Sequence, residues 1–133
     1  MNTILNCDLI NEKEYKFTIT FENNENFPII LPVGKLQNSA ENVGLIFEIN
    51  DKQLEPVSYK TVSKKEYKNV ELKPGEKISI EQIASIENLG KSYWGLVFKT
   101  ATYEIKSGEK YKIWFSLNGF VSKPIEIIFD LDK

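Results

Sequence analysis

The chain has 133 residues with 17 basic groups, all lysine, 19 acidic groups and a formal net charge of −2; it contains neither histidine nor arginine. That length can bury a core without disulfides or metals, and 41% hydrophobic beside 27% charged residues is typical of a folded globular chain. The two missing residue types exclude Ser–His–Asp and Cys–His catalysis, imidazole metal sites and guanidinium clamps on phosphate or carboxylate, while the acidic balance argues against a nucleic-acid partner.

Cys7 stands alone, so no disulfide framework or paired-thiol metal site is expected, and a lone thiol suits a reducing compartment. No basic, apolar leader and no long apolar span is visible, so the sequence as written predicts a cytoplasmic chain without a membrane span. Removal of a leader would make it secreted or periplasmic instead.

Alternation with period two dominates from Tyr15 onward. Tyr15, Phe17, Ile19 and Phe21 interleave with Lys16, Thr18, Thr20 and Glu22, which predicts a strand with one apolar face. Asn23-Asn24-Glu25-Asn26 predicts a turn. The apolar run 27–31, bracketed by Pro28 and Pro32, suits an edge or sheet-switching segment.

Val43, Leu45, Phe47 and Ile49 predict the next strand, and Asn50-Asp51-Lys52 a tight hairpin turn into residues 53–62. Lys60, Lys64, Lys65 and Lys68 interleave with Tyr59 and Tyr67. They make a small basic-aromatic patch or, more plainly, a solvated edge interrupted by Glu66.

Residues 70–72 lead into Lys73-Pro74-Gly75-Glu76, whose residue types suit a type II turn, and Ile78, Ile80 and Ile83 continue as a strand. Residues 85–100 carry Gly90, Gly95 and Tyr93-Trp94 and predict the least regular segment, with one or two helical turns possible over 81–89. Alternation resumes at Tyr103, and Ser107-Gly108 predicts a turn. Tyr111, Ile113, Phe115 and Leu117 follow as a strand, Asn118-Gly119 as a hairpin turn, and Ile125, Ile127, Phe129 and Leu131 as the last strand.

Eight or nine short strands with at most one helical turn predict an all-β fold, a single antiparallel β-sandwich domain spanning 1–133. Phe17-Thr-Ile-Thr-Phe-Glu-Asn-Asn, Pro28-Ile-Ile-Leu, Phe47-Glu-Ile-Asn-Asp-Lys, Leu72-Lys-Pro-Gly-Glu and Ser107-Gly-Glu-Lys-Tyr-Lys-Ile follow one another in this order. The order resembles the bacterial immunoglobulin-like β-sandwich that precedes the catalytic domain of deuterolysin-type zinc metallopeptidases. It is also similar to bacterial intracellular proteinase inhibitors built on such a sandwich. Tyr59-Lys60-Thr61 stands where the deuterolysin-associated domain usually has Tyr-x-Gly. The resemblance implies an immunoglobulin-like fold and a non-catalytic role, and it carries over no functional residue.

The carboxylate pairs Glu12 with Glu14, Glu22 with Glu25 and Asp130 with Asp132 lack the Asp/Asn-rich loop of a calcium site, so solvated charges are the expectation and no metal or cofactor is predicted. Aromatic residues offer more. The pleat sets Trp114 opposite the core face of its strand, as it does Ile46 and Ile128. These three form an outward patch fit for a partner protein, or a minor core beneath residues 85–100. Tyr93 and Trp94 beside Gly95 offer a second anchor, or a loop folded back on the sandwich. Two functions follow: a protein-binding module of inhibitor, immunity-protein or accessory-subunit type, or a carbohydrate-binding or surface-displayed module that stacks sugars on exposed aromatics. An enzyme is not expected.

Overall fold

A computed structural model describes residues 1–31, 44–59, 69–90, 93–99, 101–117 and 119–131. These residues form strands and turns, and no helix occurs among them. One antiparallel sheet holds β1 (Asn2–Asn11), β2 (Glu14–Glu22), β8 (Lys77–Gly90), β9 (Tyr93–Val97), β10 (Ala101–Ile105) and β6 (Ser58–Tyr59), in that spatial order. The second runs β12 (Phe120–Val121), β11 (Lys110–Leu117), β4 (Leu45–Ile49) and β5 (Lys52–Gln53), with β13 (Ile125–Ile128) also paired to β11. A short ribbon pairs β3 (Ile29–Leu31) with β7 (Val70–Leu72).

The inner faces follow the pleat. On β2 the side chains of Phe17, Ile19 and Phe21 are buried, and on β11 so are those of Tyr111, Ile113 and Phe115. Rings from the two sheets meet between them: Phe17 with Phe47 at 6.2 Å, Phe21 with Phe115 at 5.7 Å and Phe47 with Tyr103 at 4.6 Å between centroids. Each buried ring contributes about 1.5–3 kcal/mol by leaving water, and each such pair roughly 0.5–1.5 kcal/mol more. Two antiparallel sheets joined by one buried cluster are consistent with a β-sandwich.

Turn chemistry matches the residues that supply it. Asn50 and Asp51 both have positive φ between the paired Ile49 and Lys52, the backbone of a two-residue type I′ hairpin. Gly75 has φ +83°, and the Glu76 amide donates to the Lys73 carbonyl, which closes the Pro-Gly turn. The β3–β7 ribbon keeps the proline-bracketed segment out of both large sheets, as expected for a chain that cannot donate at those positions.

Two expectations are corrected. Residues 85–90 and 93–97 belong to the hairpin of β8 and β9, not to an irregular segment, and residues 81–89 are strand rather than helix. Ile78, Ile80 and Ile83 continue as a strand as expected, with Ile83 opposite Lys16 on the outer face and Ile80, Ala84 and Ile86 turned inward. Residues 2–11 form a full strand that the alternation does not announce. The run 60–68 and Val43 lie outside the described residues.

Candidate functional site

Trp114 and Ile46 sit directly opposite one another on β11 and β4, both half-buried on the outer face of the second sheet. Val121 on β12 pairs with Ser116 and extends this small apolar patch outward. Ile128 does not join it. Its partner is Lys110, four residues from Trp114 along β11, which is about 13 Å of strand. Lys112, facing Glu48 and Glu126, lies between. Nor do residues 85–90 and 93–97 cover the patch, because they belong to the opposite sheet. The expected trio is therefore a pair with a separate third residue.

Trp94 is also placed differently. It lies on β9 opposite Ile105 and packs half-buried against the core, while Tyr93 on the other face is 56% exposed. Gly95, which follows Trp94, is buried, and the Leu89 side chain lies where its Cβ would stand.

Trp94 and Ile128 meet elsewhere. They line one cleft of about 700 Å³ with Leu9, Tyr15, Ile86 and Leu131, and with the charged Glu12, Lys13 and Asp130. The β1–β2 turn forms one wall, held to β8 by the Ile86 amide donating to the Lys13 carbonyl at 2.7 Å. The chain after β13 forms another. It is fixed where Leu131 donates its amide to the Ser107 hydroxyl at 2.9 Å and Phe129 packs edge-on against Tyr15 at 5.2 Å. Leu9 and Ile128 are 58% and 55% exposed, so the mouth is apolar while the interior joins the core.

The electrostatics of this region disfavour ionisation of its neutral acids. Burial raises the Tyr15 hydroxyl above its usual range, and the nearby Cys7 and Asp130 raise it further. Burial, with Asp8 beside it, pushes the Cys7 thiol up to about 12. Cys7 is therefore a neutral thiol at physiological pH and a weak nucleophile. Asp132 lies outside the described residues, and no group of three His, Cys, Asp or Glu able to hold a metal occurs among those described.

Alternation alone could not reveal the cleft. Leu9, Tyr15, Ile86, Trp94 and Ile128 come from five strands, and only the register of the sheets brings their ends together. No protein-family model matches the chain, and no curated protein is similar to it in sequence.

Proposed function

We propose that the chain is a non-catalytic protein-binding module of inhibitor, immunity-protein or accessory-subunit type, and that the cleft takes a bulky apolar side chain of its partner. The observation that carries this reading is the cleft itself: an apolar mouth of Leu9 and Ile128 over half-buried Trp94, Tyr15 and Ile86. Aromatic anchors in desolvated pockets dominate protein interfaces. Glu12 and Asp130 outnumber Lys13 at the lining, so an apolar residue flanked by lysine or arginine fits best. The exposed aliphatic rim of Leu9 and Ile128 favours an apolar side chain of a protein over a carbohydrate.

An immunoglobulin-like sandwich is the fold proposed with this role. It is supported by the Tyr111 hydroxyl, which accepts from the Lys106 amide five residues upstream at 2.8 Å. That bond resembles the tyrosine corner of Greek-key sandwiches.

The test is selection of displayed random peptides on the protein, followed by binding to Ile128→Lys and Trp114→Ala. Peptides with a bulky apolar residue beside a basic one should lose at least about tenfold in affinity on Ile128→Lys and nothing on Trp114→Ala. Binding that ignores Ile128, or saturable binding of oligosaccharides in place of peptides, would overturn the reading.

A further inference from the structure

The outer face of the first sheet, turned away from the core, carries an exposed apolar stripe. Val97 pairs with Ser85, two residues along β8 from Ile83, so Val97 and Ile83 are diagonal neighbours on this face. Gly95 and Tyr93 continue the same side of β9, and the Leu89 side chain lies over Gly95. Ile83, Leu89 and Tyr93 are 47%, 45% and 56% exposed. Outward positions of a half-solvated sheet are ordinarily polar, as the neighbouring Thr18, Thr20, Ser79 and Ser85 are.

Carboxylates frame the stripe. Glu87 and Glu104 flank Gly95 from the two adjoining strands, and Asp8, Glu14 and Glu81 lie around Ile83. Lys16, 3.8 Å from Glu81, is the one lysine on these cross-strand rows. Lys77, Lys99 and Lys106 lie beyond them, at a strand end or between strands. Five carboxylates and one lysine share this face, yet the whole chain nets only −2, so the remainder is net positive. Folding alone gives no reason to gather like charges here, where neighbours on one sheet face repel.

We infer that this face docks a second protein, through a flat surface on which lysine or arginine surrounds an apolar side chain. Charge complementarity fixes the occupant. A basic surface is drawn to the carboxylates, whereas a nucleic acid or an anionic membrane is repelled. A second copy meeting the same face would set carboxylates against carboxylates. Ile83 and Tyr93 supply the apolar contact, Tyr93 with a large ring that loses little freedom on binding. The face is distinct from the cleft. Ile86 and Trp94 line the cleft from the inner side of β8 and β9, while Glu87 and Tyr93 beside them point the other way. The two sites stand back to back on one hairpin, so filling one leaves the other open.

The probe is a disulfide-closed synthetic β-hairpin with lysine and leucine on one face, beside a counterpart with glutamate in place of lysine. Each is titrated into the isotope-labelled full chain and followed by amide NMR signals. The lysine hairpin should bind saturably and shift the signals of Ile83, Leu89, Tyr93 and Val97, and the glutamate hairpin should not bind. Glu87→Lys/Glu104→Lys should weaken binding at least about tenfold and Ile83→Ser/Tyr93→Ser at least about fivefold, while Ile128→Lys leaves it unchanged. Absence of saturable binding, or shifts confined to another surface, would overturn the inference. So would an affinity that ignores Ile83→Ser/Tyr93→Ser, since that is charge attraction alone. Shifts of the same signals on concentrating the protein by itself would put a second copy there and overturn it too. The wild-type map needs no variant and stays decisive should a substitution impair folding.

Discussion

The side-chain amide of Asn23 donates to the carbonyl of Leu72 at 2.8 Å, across 49 positions of sequence. The same amide donates to the Phe27 carbonyl at 2.9 Å, and its oxygen accepts from the Glu25 amide at 2.9 Å. The Asn23 backbone also bonds to Gly75 and Glu76. This fully buried residue therefore ties the end of β2 to the Pro-Gly turn and to the entry of β3.

Asn23→Ala leaves two carbonyls and an amide in the interior without their partner, which should cost about 2–4 kcal/mol in urea unfolding. Asn23→Asp keeps the shape but loses both donors and buries a carboxylate. It should be more damaging at pH 7 than at pH 4, where the protonated acid can still donate once. An Ala variant within about 0.5 kcal/mol of wild type would show that the hub is dispensable.

Gly44 and Gly95 both meet a neighbour where a Cβ would stand, yet they should respond differently. Gly44 has φ +78°, and its added Cβ would overlap the ring of buried Phe115, so Gly44→Ala should cost about 2–4 kcal/mol. At Gly95 the obstacle is the end of the partly exposed Leu89 side chain, which can swing away, so Gly95→Ala should cost less than about 1 kcal/mol. Thermal unfolding of the two variants distinguishes them, and equal losses would contradict this difference.

Stability should be lost at alkaline pH. Cys7, Tyr15 and Tyr111 all have folded pKa values raised chiefly by burial, even though the Lys106 amide lowers that of Tyr111. Above pH 9 for Cys7, and above pH 10 for the tyrosines, the unfolded chain releases protons that the folded chain retains. Each group can then remove at most about 1.4 kcal/mol per pH unit, and less where solvent reaches it. The contribution is intact below pH 9 and falls as pH climbs toward 12, so Cys7→Ala should delay the onset. Melting temperatures from pH 7 to 11 test this, and a flat profile would contradict it.

The raised thiol pKa has a kinetic consequence as well. Cys7 should react with iodoacetamide at pH 8 many-fold more slowly in the folded chain than in urea. Equal rates in both conditions would show an accessible, ionised thiol.

Most of the sheet framework was legible because one face of each strand is uniformly apolar. Phe17, Ile19 and Phe21 on β2, and Tyr111, Ile113 and Phe115 on β11, announce their strands and their inward faces. Asn50-Asp51 and Pro74-Gly75 carry the chemistry of their turns. β1 escaped because Ile4 sits on the face opposite Leu5 and the register breaks at Ile10, which together blur the period of two. The later part of β8 escaped because its inner row includes Gln82 and Ala84 while Ile83 faces out. Trp94 and Ile128, read from sequence as parts of separate surfaces, share a cleft through contacts that no local pattern encodes.

The central claim is that this cleft receives an apolar side chain of a partner protein. Its most direct test is the fluorescence of Trp94 as the sole tryptophan, in a Trp114→Phe background, titrated with the peptides selected on the wild type. A saturable shift that disappears when Ile128→Lys is added is the predicted result. Peptide binding that leaves Trp94 emission unchanged, or changes it equally with lysine at position 128, would place the interface elsewhere and contradict the account.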